Sequence, residues 1–203
     1  MHLAGDWDAM GQRSTMSHTI TYQDVFVADG WHFAPQPPSL LFLGFARCMH
    51  AAVLQGIGEG AMTSAVQYVR GLDRPSLPMF GTAGDDITLH QRLGEHASAL
   101  ACTRAFVQRA GNDISTPGND PLAAAIGGLQ ARVAATRSSL DAAQAVFEMT
   151  GARSTSKREG LDRFWRNART LSAHDPLDAS NAVIGRHLLT GELPPLANYF
   201  RAG

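Results

Sequence analysis

Residues 39–70 hold a run with no proline, opening on Ser39 and closing before Gly71. Phe42, Phe45, Met49, Val53 and Ile57 recur at intervals of three and four, the spacing that lines one face of an α-helix. Ser39 can cap the start and Gly71 can stop the end. Leu40, Leu41, Leu43 and Leu54 widen the apolar stripe until it covers most of the helix. Such a helix sits centrally in a bundle or at a subunit interface. Arg47, His50 and Glu59 interrupt it, so it reads as a core helix rather than a membrane span. Its apolar surface exceeds what a small bundle can bury, which predicts a homo-oligomer, a dimer or tetramer.

Two further long helices follow. One is predicted from about Asp85 or Asp86, carrying Leu89, Leu93, Leu100 and Val107 and stopping at Gly111. Asn119-Asp120-Pro121 is a start signal, a cap followed by proline at the first helical position. Leu122, Ile126, Leu129, Val133, Leu140 and Phe147 then form a stripe as far as Gly151. A shorter helix is predicted from a capping box at Ser156–Glu159, and a last one from Asp175-Pro176 to Gly191. The fold class is mainly α, an antiparallel helical bundle.

The first residues differ. Thr19–Tyr22 and Val25–Val27 are β-branched and aromatic runs that predict two short strands. Two strands are marginal without a larger sheet, and nothing later in the chain supplies one. The expected division is residues 1–34, an incomplete β portion, and residues 35–203, the helical bundle. Pro35-Gln36-Pro37-Pro38 is the linker between them.

A formal net charge of −1 gives no electrostatic footprint for nucleic acid or a membrane surface. Cys48 and Cys102 have neither metal-ligand spacing nor a disulfide framework. The start lacks the pattern of a signal peptide, and the expectation is a cytoplasmic protein. The eight histidines include no His-Glu-x-x-His run, and His90 and His96, six apart, fall on different helix faces, so no metal is expected. Gly56-Ile57-Gly58-Glu59-Gly60 lies inside a helical pattern, where small residues serve close packing rather than nucleotide binding.

Two segments carry chemistry. Gly151-Ala152-Arg153-Ser154-Thr155 joins two helices at the predicted start of the helix near Lys157. Free N–H groups, hydroxyls and an arginine there suit a phosphate, and an ordinary capped turn with a solvated arginine is the other reading. Arg163-Phe164-Trp165-Arg166-Asn167-Ala168-Arg169-Thr170 leads to His174-Asp175-Pro176. His174 can exchange a proton near neutral pH, with Asp175 orienting it, or can be a plain loop histidine beside a capping Asp175.

Together these segments resemble the acyl-CoA dehydrogenase superfamily, in particular its flavin-dependent monooxygenase branch. Asp6–Thr15 and Asp24–Val27 resemble the last strands of the family's middle β domain, and Phe147–Thr155 and Arg163–Pro176 its C-terminal bundle. The resemblance implies a flavin cofactor, FMN supplied reduced by a separate flavin reductase, with FAD as second choice. It implies that Gly151, Ala152, Arg153, Ser154 and Thr155 lie at the flavin phosphate. Arg74 would reach a flavin in a neighbouring subunit, and Arg169 belongs with the cofactor-binding residues. His174 would be the catalytic residue that forms or protonates a flavin hydroperoxide, which oxygenates a small organic substrate.

The chain departs from the pattern in three places. Leu171 stands where a second histidine often occurs, and Ser17-His18-Thr19 where Ser-Gly-Thr is usual. His174-Asp175-Pro176 stands where the dehydrogenase branch needs a catalytic Glu. The family's N-terminal helical domain and most of its β domain have no counterpart in these residues, so the chain is not expected to act alone. An acyl-CoA dehydrogenase-type oxidoreductase and a non-catalytic helical assembly module are the alternatives.

Overall fold

In a computed structural model the chain is described over residues 1–32, 38–72, 75 and 79–195. Five helices dominate these residues: α1 (Leu40–Arg70), α2 (Ile87–Ser115), α3 (Pro121–Thr150), α4 (Asp162–Ser172) and α5 (Leu177–Thr190). The antiparallel bundle expected from the sequence is what forms. Gly58 on α1 faces both Leu100 on α2 and Ser139 on α3, while Cys48 reaches Val107. Residue numbers therefore fall along α2 as they rise along α1, and rise together on α1 and α3. In an up-down bundle this makes α1 and α3 a parallel pair with α2 antiparallel to both.

Helix ends follow local chemistry. Ser39 Oγ accepts from the Phe42 N–H at 3.1 Å, and Asp86 Oδ1 from Thr88 N at 2.9 Å. Asp120 Oδ1 accepts from Leu122 N at 2.9 Å, with Pro121 at the first helical position. At the far end of α3, Gly151 has a φ of 73°, a conformation open to glycine. Two boundaries differ from expectation. Helix α2 runs through Gly111 to Ser115, because a glycine inside a well-packed turn weakens a helix without ending it. Helix α4 begins at Asp162 rather than near Lys157, since Gly160 at φ 60° breaks the path from the Ser156–Glu159 turn.

The core is rich in alanine and unusually close. Gly44 and Gly128 meet where α1 crosses α3; a Cβ on Gly128 would lie 2.4 Å from the Gly44 carbonyl oxygen. Ala61, Ala65, Leu100, Ala142 and Val146 fill one cluster, and Ala51, Leu54, Val107, Ala131 and Ala135 a second. Within the glycine run of α1, Gly58 and Gly60 pack tightly against neighbours, whereas Gly56 faces open space. Among the described residues α1 is the one helix long and apolar enough to cross a membrane by length and composition. It packs along one side against α3, the bundle's most buried helix, with Arg47 and Gln55 buried in polar contacts inside the protein. Phe42, Phe45, Met49 and Val53 remain about half exposed along one side of it.

Of the two predicted N-terminal strands only the first forms, shortened to Ile20–Thr21, and it pairs with a segment at His2–Leu3 that was not foreseen. β1 (His2–Leu3) pairs antiparallel with β2 (Ile20–Thr21), with His2 opposite Thr21. Val25–Val27 form no strand, and Phe26 is 89% exposed, because no sheet edge is offered to them among the described residues. This segment is fastened to α4 by main chain. Gln12 N donates to Asn167 Oδ1 at 2.8 Å, and Arg166 Nη1 to the Met10 carbonyl at 2.7 Å. Gly11 lies between them, where a Cβ would come 2.2 Å from the Arg166 carbonyl oxygen.

Candidate functional site

The loop between α4 and α5 places His174 and Asp175 against two arginines from the core. Arg132, on α3, is fully buried. Its Nη2 donates to the Asp175 carbonyl at 2.7 Å and lies 4.0 Å from Asp175 Oδ2, and its Nη1 donates to Ser180 Oγ at 3.2 Å. Arg47, on α1 and also buried, donates from Nη1 to Asp175 Oδ2. A guanidinium this deep needs anionic and carbonyl partners to offset lost hydration, and these supply them. Asp175 was expected to cap α5. It does not, and Pro176 takes the cap position with no side-chain bond, because the carboxylate is engaged by the arginines instead.

His174 is exposed, and its Nδ1 lies 3.1 Å from Asp175 Oδ2. A carboxylate at Nδ1 favours the tautomer with its proton there, which leaves Nε2 as the acceptor. Burial alone pushes the Asp175 carboxyl up. The hydrogen bond from His174 and the charges of Arg47, His174 and Arg132 outweigh it and hold the group below its ordinary value. His50, on α1, stands edge-on to His174 with ring centroids 4.9 Å apart. Burial first, then the charges of His174, Arg132 and Arg47, push its pKa down.

His50, His174 and Asp175 bring one potential ligand atom each within 4.8 Å of one another, a grouping the sequence reading did not find. The chemistry does not suit a cation. Both guanidiniums already occupy the carboxylate, and a metal ion would add positive charge beside them.

The turn predicted to cradle phosphate is built differently from expectation. Ala152–Thr155 is a short 3-10 helix rather than the start of an α-helix, so the aligned N–H groups of a long helix do not point there. Ser154 is buried, and its hydroxyl donates to the Gly151 carbonyl at 2.7 Å. Thr155 Oγ1 likewise donates to the Ala152 carbonyl at 2.7 Å. Both hydroxyls are thus committed to their own backbone. Arg153 is exposed and has no side-chain partner among the described residues, so it alone of the turn's side chains is free for an anion. Arg169 is exposed on α4 with its guanidinium 5.7 Å from the Trp165 ring. Arg74 lies outside the described residues.

These residues do not form one cluster. At a rise of ~1.5 Å per residue, Gly151 at the end of α3 is about 28 Å from Arg132, whose guanidinium marks the His174 site. The chain therefore carries two separate features, one at each end of the α3–α4 hairpin. Arg47, His50 and Arg132 went unrecognised in the sequence. Charged and imidazole groups breaking an apolar helical stripe were the available signal.

The family model for the acyl-CoA dehydrogenase C-terminal domain matches residues 48–179. The chain belongs to that family. Among curated members, it is 34% identical to a dibenzothiophene monooxygenase of Rhodococcus erythropolis, over 93% of this chain and 50% of the relative. It is 32% identical to a probable FMNH2-dependent monooxygenase of Pseudomonas putida, over 97% of this chain and 53% of the relative. The chain thus spans about half the length of the curated relatives it matches. FMN-bound dibenzothiophene monooxygenase from Paenibacillus sp. A11-2 superposes with a TM-score of 0.87 at 26% identity, over 98% of this chain and 55% of that one. Methanesulfinate monooxygenase from Pseudomonas fluorescens gives 0.84 at 31% identity, over 96% and 54%. Butyryl-CoA dehydrogenase from Megasphaera elsdenii, at 18% identity and a TM-score of 0.65, shares the fold alone. Membership in this family accounts for the long helical bundle, and the monooxygenase members resemble the chain over almost all of its length.

Proposed function

We propose that this chain is the C-terminal region of a two-component, flavin-dependent monooxygenase that oxygenates a small organic substrate. The observation that carries the reading is the exposed imidazole of His174, whose Asp175 partner is fixed by two buried arginines, in a fold shared with FMN-using oxygenases. Reduced FMN, delivered by a flavin reductase, supplies the electrons that activate molecular oxygen. The chain's own contribution is proton handling and charge. His174 Nε2 gives or takes a proton at the reacting centre while Nδ1 stays bonded to Asp175. Positioned acid–base groups of this kind contribute ~10²–10⁴-fold to rate.

The fit to a flavin phosphate at the turn is partial, resting on Arg153 while Ser154 faces inward. The turn that carries Arg153 and the site that carries His174 are separate features, since Gly151 and Arg132 lie about 28 Å apart along α3. In a homo-oligomer each would serve a different flavin, which agrees with the half-exposed apolar face of α1. The segments that cover the flavin ring and shape the substrate pocket would come from the rest of a longer protein.

The test is His174→Ala in the longer protein. Oxygenase activity is expected to fall at least about 100-fold with flavin binding retained, and unchanged turnover would remove His174 from the chemistry. Anaerobic reduction of bound flavin by an acyl-CoA would point instead to a dehydrogenase. A chain that stays colourless after reconstitution with FMN would show that this region alone does not hold the cofactor.

A further inference from the structure

His50 lies on α1, 124 positions before the loop that carries His174, yet the two rings touch. Their interplanar angle is 64°, an edge contact that fixes one ring plane against the other. Among the described residues the exposed His174 side chain has a hydrogen bond at Nδ1 only, so the contact with His50 is what limits its rotation about that bond. His50 Nδ1 is buried without a hydrogen-bond partner among the described residues. The charged and titratable groups facing His50 are Arg47 from its own helix, Arg132 from α3, and His174 and Asp175 from the α4–α5 loop. The one carboxylate in that set is already bound by Arg47 and His174. A proton on His50 would therefore share a carboxylate already bound to two other groups and stand beside two guanidiniums, whereas His174 Nδ1 meets Asp175 directly.

We infer that His50 is a positioning residue for His174, its ring bracing the His174 imidazole with Nδ1 held toward Asp175. Desolvation of His50 acts in the same direction as the neighbouring positive charges. The inference deepens the reading of His174 as the proton-handling group, and it rests on that reading for its catalytic meaning, not for its test.

The experiment is imidazole NMR on the chain labelled with 15N-histidine, titrated between about pH 5 and 9. The His50 midpoint is expected below the ordinary histidine value. His174→Gln should raise it by about half a unit or more, a threefold gain in proton affinity. Neutral His174 should appear as the Nδ1–H tautomer. His50→Phe keeps a ring in place and is expected to preserve that tautomer, while His50→Ala gives a mixture. The inference is overturned if His50 titrates at or above the ordinary histidine value, if His174→Gln leaves it unmoved, or if the single tautomer survives His50→Ala. Should His50→Ala fail to fold, the His174→Gln shift decides. None of these readouts involves flavin, so their failure leaves the oxygenase proposal standing, and loss of that proposal leaves the titration result intact.

Discussion

Gly127 and Gly128 are adjacent on α3, yet a methyl group added to each is expected to act in opposite directions. On Gly128 the new Cβ would lie 2.4 Å from the oxygen, 2.8 Å from the Cα and 3.0 Å from the carbonyl carbon of Gly44. All three are main-chain atoms of α1, so no side-chain rotation relieves them and the two helices must part. Overpacking of a tight core costs about 1–3 kcal/mol, and rigid backbone on both sides puts this site at the upper end. Replacing a helical glycine by alanine returns about 1 kcal/mol. The net expectation for Gly128→Ala is a loss of about 2 kcal/mol. On Gly127 the Cβ meets nothing within 4 Å, and Gly127→Ala keeps the propensity gain of about 1 kcal/mol. For a chain of this length the spread of about 3 kcal/mol separates the two melting temperatures by roughly 6–12 °C. Thermal unfolding followed by circular dichroism at the helical band reads it directly. Equal shifts of the same sign would refute the backbone-to-backbone crossing of α1 and α3.

Removing Arg132 tests the clamp on Asp175. Arg132→Met deletes the donor to Ser180 and to the Asp175 carbonyl and leaves Arg47 as the carboxylate's only arginine, a loss of about 3–5 kcal/mol by the standard for one-sided removal of a buried ionic partner; urea titration checks it, and a change below about 1 kcal/mol would mean the cluster is solvated. Stability is also expected to fall on acidification. His50, Asp175 and Glu59 all have pKa values lowered in the folded state. Each contributes stability above its unfolded pKa that is lost as pH drops through the folded one, so losses begin below about pH 6.5 with His50 and continue below about pH 4 with the carboxylates. Urea midpoints measured from neutral to acidic pH should decline in that order, and His50→Gln should flatten the first phase.

The helices were legible because their ends are written locally. Asp120-Pro121 and Gly151 bound α3 with atoms a few residues apart, and Ser39 and Asp86 do the same for α1 and α2. Local signals misled where tertiary contacts compete. Ser156–Glu159 has the letters of a capping box, but Gly160 turns the chain before a helix can start. Val25–Val27 has strand-forming residues but no edge to join. His174 and Asp175 were visible as a pair, whereas their setting was not. Arg47 and Arg132 lie 128 and 43 positions from Asp175, separations at which periodicity carries no information about contact. Arg153 stood out within its turn, but the inward rotation of Ser154 depends on the 3-10 geometry of Ala152–Thr155.

The docking of Met10–Gln12 on α4 has a consequence for how this protein can diverge. Much of that contact is made by carbonyl and amide groups that every residue type carries, so side chains there can change while the segment keeps its address on the bundle. Gly11 is the exception, since there the opposing Arg166 carbonyl occupies the space of any side chain. The side chain at position 10 can thus change while the segment still meets α4 through the Met10 carbonyl, provided one hydrogen atom at position 11 is never exchanged for carbon.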